Sequence, residues 1–182
     1  TRLIRMRLVL RGFQDMFAHL RERYSGTASR LSQKLLCSEY ACSPGFVICT
    51  IDIEKAFLQG LTTKEVADAT GTDEEHTCFT LPPGAASILR QCPGYENFNE
   101  HTEKLLALKA STGTVGAPRA FSLKLARVTR GKPLHLQPIS RDAEMEVCHT
   151  TVDGERKLRF AIAKHIDDIK CIGTKGDVTM FM

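Results

Sequence analysis

The sequence predicts an α+β fold, and three observations carry that prediction. The stretch "MEVCHTTVDGERKLRFAIAKHI" holds two strand-like runs joined at Asp153-Gly154, a pair that suits the tight turn of an antiparallel hairpin. The following "HIDDIKCIG" continues into a partner strand, so an antiparallel sheet is expected in the last third of the chain. Segments with helical patterning and start or stop residues, near 25–42, 61–71 and 117–131, supply helices to pack on it.

Taken in order, residues 3–11 alternate. Ile4, Met6, Leu8 and Leu10 fall on one face and Arg5, Arg7 and Arg11 on the other, the period of a half-buried strand with a cationic outer face; Gly12 ends it. "SGTASRLSQKLLCSEYA" reads as a helix capped by Ser25 or Thr27, with Ala28, Leu31, Leu35 and Cys42 as its apolar stripe. "SPG" at 43–45 breaks it. "FVICTID" at 46–52 is β-branched and apolar, a buried strand ending at Asp52. "LTTKEVADATG" at 61–71 has Thr62 and Glu65 at capping-box spacing and Gly71 as its stop. "TCFTLPPG" at 77–84 is a strand cut off by two prolines, residues 85–103 read as loop-rich, and "EKLLALKA" suits strand or helix. "APRAFSLKLARVTRG" at 117–131 is a helix with Pro118 in its first turn, Phe121, Leu125 and Val128 on one face, and Gly131 at its end.

The totals bound the function. A chain of 182 residues suits one domain or one lobe of a larger one. No apolar run approaches the roughly 20 residues of a membrane span, and the Arg-rich N-terminus does not resemble a secretory signal. Seven Cys, with no CxxC and no zinc-like spacing to His, read as reduced, mostly buried thiols. A cytoplasmic or nuclear protein is expected, not a secreted one. The net charge of +4 is uneven: residues 1–34 carry Arg2, Arg5, Arg7, Arg11, Arg21, Arg23, Arg30 and Lys34 against Asp15 and Glu22, so the rest of the chain is slightly acidic. A basic lobe on an acidic body fits a polyanionic partner, or a solvated basic face.

The chemistry-bearing feature is the adjacent pair Asp167-Asp168 inside an apolar stretch. A buried carboxylate is costly unless paired or bound to a metal, so the pair either sits in an exposed turn or holds a cation. Asp52 ends another strand. If the two strands are neighbours, the three carboxylates converge at one edge, as hard divalent cations such as Mg²⁺ require. Two such ions can activate an attacking hydroxyl and stabilise a leaving phosphate oxygen. The plain alternative is turn chemistry, since Asp favours turns.

Five blocks, "RLVLRGF" (7–13), "IDIEKAFLQG" (51–60), "LPPG" (81–84), "GAPRAF" (116–121) and "HIDDIKCIG" (165–173), resemble in this order those of copia-type retrotransposon reverse transcriptases. The resemblance implies a right-hand polymerase fold with an antiparallel palm sheet and packed helices. The fingers would be approximately 1–45 and 61–110, the palm 46–60 and 111–182. The thumb is missing, and thumb, connection, RNase H, integrase and protease would belong to the remaining Pol domains of a parent polyprotein. The activity implied is RNA-directed DNA synthesis with Mg²⁺, or Mn²⁺, on an RNA template and a DNA primer, using dNTPs and involving no membrane. By resemblance Asp52, Asp167 and Asp168 are the catalytic, metal-holding carboxylates, Asp168 in support of Asp167. Phe57 matches the aromatic that excludes a 2′-hydroxyl. Arg5, Arg7 and Gly113 match nucleotide contacts, and Pro118, Arg119, His165 and Ile166 match template or primer contacts. His165 stands where these enzymes usually carry Tyr, Ser111 and Thr112 replace more usual residues, and the stretch from Asp52 to Asp167 is long for the family, which places an insertion near 85–103. A truncated, non-catalytic remnant that binds nucleic acid is the alternative; an unrelated phosphotransferase or cyclase on a similar sheet is a third reading.

Overall fold

The structure is a computed structural model and describes residues 9–21 and 24–182. Arg5 and Arg7, with most of the expected N-terminal strand, lie outside the described residues. The first described segment makes a single 3₁₀ turn at Gly12–Gln14. Then follow α1 (Arg30–Cys42), β1 (Phe46–Asp52), a 3₁₀ turn (Ala56–Gln59), α2 (Thr63–Thr70), β2 (Thr77–Phe79), α3 (Ala85–Leu89) and β3 (Leu105–Ala107). The chain continues with α4 (Ala117–Arg130), β4 (Gln137–Ile139), β5 (Asp142–Val152), β6 (Glu155–His165), β7 (Asp168–Thr174) and α5 (Lys175–Phe181). The fold is α+β, as the sequence predicts. Five strands form one antiparallel sheet in the order β1-β7-β6-β5-β4, and β2 pairs with β3 in a small second sheet.

Alternation along β6 divides the core in two. Phe160 and Ile162 face one side with Ile169 and Cys171 of β7, under Phe121 and Leu125 of α4, Val178 of α5, and Leu134 and Leu136. Ala161 and Ala163 face the other side with Ile172 and Met145, under Ala28 and Leu36 at α1. Each side buries apolar area at roughly 25 cal/mol per Å², so the central strands β6 and β7 are held from both faces. The β5–β6 hairpin turns where expected: Asp153 and Gly154 have φ of 55° and 80°, the positive pair of a type I′ turn.

Two helices differ from the sequence pattern. α1 begins at Arg30, not near Ser25, because the Ser29 side chain accepts from Ser32 N and caps it. Asp142 of β5 locks that cap by accepting from Ser29 N at 2.7 Å and Ser32 Oγ at 2.5 Å. Ser32 and Leu36 therefore face the sheet, while Leu31, Leu35 and Cys42 of the expected stripe are exposed. On α4, Phe121 and Leu125 are buried as expected, but Thr129 takes the place assigned to Val128, which is exposed. The α2 capping box at Thr62 and Glu65 and the Gly71 stop are present. The loop-rich stretch contains α3, and "EKLLALKA" resolves as strand β3. All seven Cys are free thiols, but Cys37, Cys42, Cys78 and Cys92 are exposed, because most sit on solvent faces of short or peripheral elements; only Cys171 is fully buried. Among the described residues no helix is long and apolar enough to cross a membrane.

Candidate functional site: a carboxylate rung at the sheet edge

β1 and β7 are neighbours in the sheet, and their register places Asp52 directly opposite Asp168. Directly opposed residues project from the same face, roughly 4.5–5.5 Å apart at Cα, and like charges so placed repel. Both side chains are exposed, and among the described residues neither makes an ion pair. The nearest cation on that face along β7 is Lys170, opposite Thr50, one step of the pleat away.

The turn between β6 and β7 consists of Ile166 and Asp167, because His165 pairs with Asp168. Ile166 has φ of 56°, whereas Asp167 is not among the positive-φ residues, so the turn has the II′ character of a two-residue hairpin loop. A β-branched residue in the left-handed region is a true outlier, and such strain collects at functional sites. Asp167 itself reaches β1 through its backbone: its carbonyl accepts from Ile53 N at 3.1 Å. The sequence places the Asp pair in the turn; the structure puts Asp167 in the turn and Asp168 at the first position of the strand. The rung therefore joins Asp52 to Asp168, with Asp167 next to it.

His165 is exposed, ends β6, and bridges to Thr27, while Ala28 N donates to Lys164 O at 2.7 Å. The segment entering α1 thus flanks the carboxylate edge. Phe57 lies in the 3₁₀ turn after β1, half-buried, with its ring edge-on to Phe121 at 6.5 Å between centroids. That contact ties the loop after Asp52 to α4.

Gly113, Pro118 and Arg119 form a second group at the start of α4. Gly113 has φ of 92°, and a Cβ there would meet the Leu10 carbonyl oxygen at 2.1 Å; a Cβ on Gly12 would meet the Gly113 oxygen at the same distance. The two glycines let Leu10 N donate to Thr112 O and Gly12 N to Gly113 O, both at 3.0 Å. The N-terminal segment is thereby clasped to the loop before α4. Pro118 occupies the first turn of α4. Arg119 lines a cavity of about 200 Å³ with Arg21, Leu61, Lys109, Thr114 and Gly116. None of the three Asp lines it.

Donor chemistry at the rung fits a hard divalent cation, since Asp52, Asp168 and Asp167 offer only oxygen. The geometry fits incompletely: among the described residues no group of three His, Cys, Asp or Glu side chains is drawn together closely enough to hold an ion. Asp52 and Asp168 are the two that share a face.

Sequence reasoning missed two features near this edge. Lys164, inside the apolar run of β6, is 2 % exposed and sits between Glu144 at 3.2 Å and Glu146 at 2.9 Å, with Arg130 also on Glu146 at 2.9 Å. A lysine in the run "FAIAKHI" was itself the signal, because a buried ammonium needs an anion. Cys49 and Cys171 are the second feature: each lies three residues from its own Asp, so the antiparallel register that joins the Asp residues joins the Cys residues too. Comparison with known proteins adds no assignment: no family model, no curated protein and no solved structure matches the chain.

Proposed function

We propose that this chain is the fingers and palm of an RNA-directed DNA polymerase of the copia type, transferring nucleotides to a primer 3′-hydroxyl. The observation that carries the reading is the Asp52–Asp168 rung: two exposed carboxylates opposed on one face, neither in an ion pair among the described residues, with Asp167 beside them in a strained turn. Like charges at such a place cost stability unless a cation neutralises them. In this reading residues 46–60 and 111–182 are the palm and residues 1–45 and 61–110 the fingers.

Asp52 and Asp168 would hold Mg²⁺ or Mn²⁺ between them, with Asp167 adjacent. Bound there, divalent ions lower the pKa of the attacking hydroxyl and offset charge on the leaving phosphate. The chain's own residues position the reactants, which is most of what phosphoryl transfer asks of a protein. Phe57, held edge-on by Phe121, would present a rigid wall against a 2′-hydroxyl. The Gly12–Gly113 clasp would set the loop along the incoming nucleotide, with Arg5 and Arg7 supplying positive charge to its phosphates. Pro118 and Arg119 would face the template and His165 and Ile166 the primer end.

A non-catalytic chain that binds nucleic acid through its basic N-terminal region is the second reading. It is favoured by one observation, the eight basic against two acidic side chains of residues 1–34. Incorporation of labelled dTTP on oligo(dT)-primed poly(rA), with Mg²⁺ or Mn²⁺, separates the two. The polymerase reading predicts incorporation that Asp52→Asn lowers by at least ~100-fold, the scale of losing one charge-stabilising group in catalysis. Salt-sensitive binding of nucleic acid with no incorporation, unchanged by Asp52→Asn, would favour the second reading.

A further inference from the structure

We propose that Cys49 and Cys171 are a covalent modification site: they close to a reversible disulfide that cross-links β1 to β7 beside the carboxylate rung. Their Sγ atoms are 2.9 Å apart, and their Cα atoms are register partners. Opposed residues of antiparallel strands lie roughly 4.5–5.5 Å apart at Cα, inside the roughly 4.4–6.8 Å that disulfides span. An S–S bond of about 2.05 Å then needs less than about 1 Å of sulfur movement. Two thiols on one rung are not forced by packing, since an alkyl side chain fills such a place equally well.

Access sets the order of events. β1 is an outer strand of the sheet and Cys49 is half-buried, whereas Cys171 is fully buried. Burial first, and then the contact with Cys49, push the Cys171 thiol up to about 12, so it waits as a thiol. The oxidant is a small-molecule disulfide. The Cys49 thiolate attacks one of its sulfurs, its S–S bond breaks, and one small thiol leaves after taking a proton. Cys171 then gives up its proton and attacks Cys49 Sγ, expelling the second small thiol. Two protein thiols lose two electrons and two protons, and one small disulfide becomes two thiols. The link joins β1 to β7 three residues along from the Asp52–Asp168 rung, on the opposite face of the sheet, so the oxidised chain has a more rigid carboxylate edge. The inference stands on the cysteine geometry and does not depend on the polymerase reading.

The test treats the native 182-residue chain with glutathione disulfide, quenches in acid, alkylates in denaturant and maps the unreduced peptides by mass spectrometry. The expected result is a Cys49–Cys171 linked peptide that carries neither alkyl group nor glutathione, whatever glutathione the exposed thiols take up, and full reversal by dithiothreitol. Cys49→Ala should keep all six remaining thiols free of this link. Three results would each overturn the proposal: no loss of thiols, glutathione held on Cys49 without closure, or links confined to the exposed Cys37, Cys42, Cys78 and Cys92. The guanidinium-denatured chain, treated identically, should give mixed pairings, which shows that the native rung selects the pair.

Discussion

Asp52 and Asp168 lie on one rung because β1 ends at Asp52 and β7 begins at Asp168, and because the β6–β7 turn takes two residues. The carboxylates themselves were legible in the sequence, as polar endings of apolar strands. Which Asp faces Asp52 was not, because that depends on Ile166 entering the left-handed region, which local propensity disfavours. A left-handed conformation costs an ordinary residue about 1–2 kcal/mol, and Asn tolerates it far better. Ile166→Asn should therefore stabilise the chain by about 1 kcal/mol in urea unfolding. No gain, or a loss, would mean that Ile166 packing outweighs its backbone strain.

Among the elements, α1 shows where local reading runs out. Its caps and apolar residues are visible in sequence, but its orientation is set by Asp142, which is far away in the chain and reaches it only in the folded sheet. Burial alone would raise the Asp142 pKa, but the hydrogen bonds from Ser32, Ser29 N and Glu144 N outweigh it and hold the carboxyl below its ordinary 3.8. A depressed carboxylate stabilises the fold above its unfolded pKa, and that contribution is lost as pH falls through the folded value. Asp142→Ala should thus cost about 1–2 kcal/mol in urea unfolding at pH 7. The gap to the wild type should narrow below pH ~4, and a gap that stays constant with pH would contradict the assigned cause.

The β5–β6 pair gives a second test at this scale. Lys164 and Glu146 are almost fully buried, and each keeps one partner if the other is removed, Glu144 for Lys164 and Arg130 for Glu146. Lys164→Met should destabilise by about 3–5 kcal/mol, because Glu144 loses its cation and Glu146 keeps only Arg130, and adding Glu146→Leu should restore part of it. Equal losses in single and double variants would show that the pair is not coupled.

For the whole molecule, the sequence carries the fold class, the β5–β6 hairpin and most helix positions, because those rest on short-range patterns and turn residues. It carries the neighbours β5-β6-β7 but not the place of β1 or β4 beside them. β1 pairs with β7 across more than half the chain, and nothing local to either strand encodes that neighbour. The same non-local pairing creates the carboxylate edge and the thiol pair together, so both stand or fall with it. The edge formed by β1 and β7 is proposed to hold a divalent cation. The most direct measurement is paramagnetic broadening of backbone amide signals in the isotope-labelled chain on adding Mn²⁺, beside Asp52→Asn. Cation binding at this edge predicts selective loss of the signals of residues 52, 53, 167 and 168, reversed by excess Mg²⁺ and absent in the variant. Broadening centred elsewhere, or unchanged by Asp52→Asn, would contradict it.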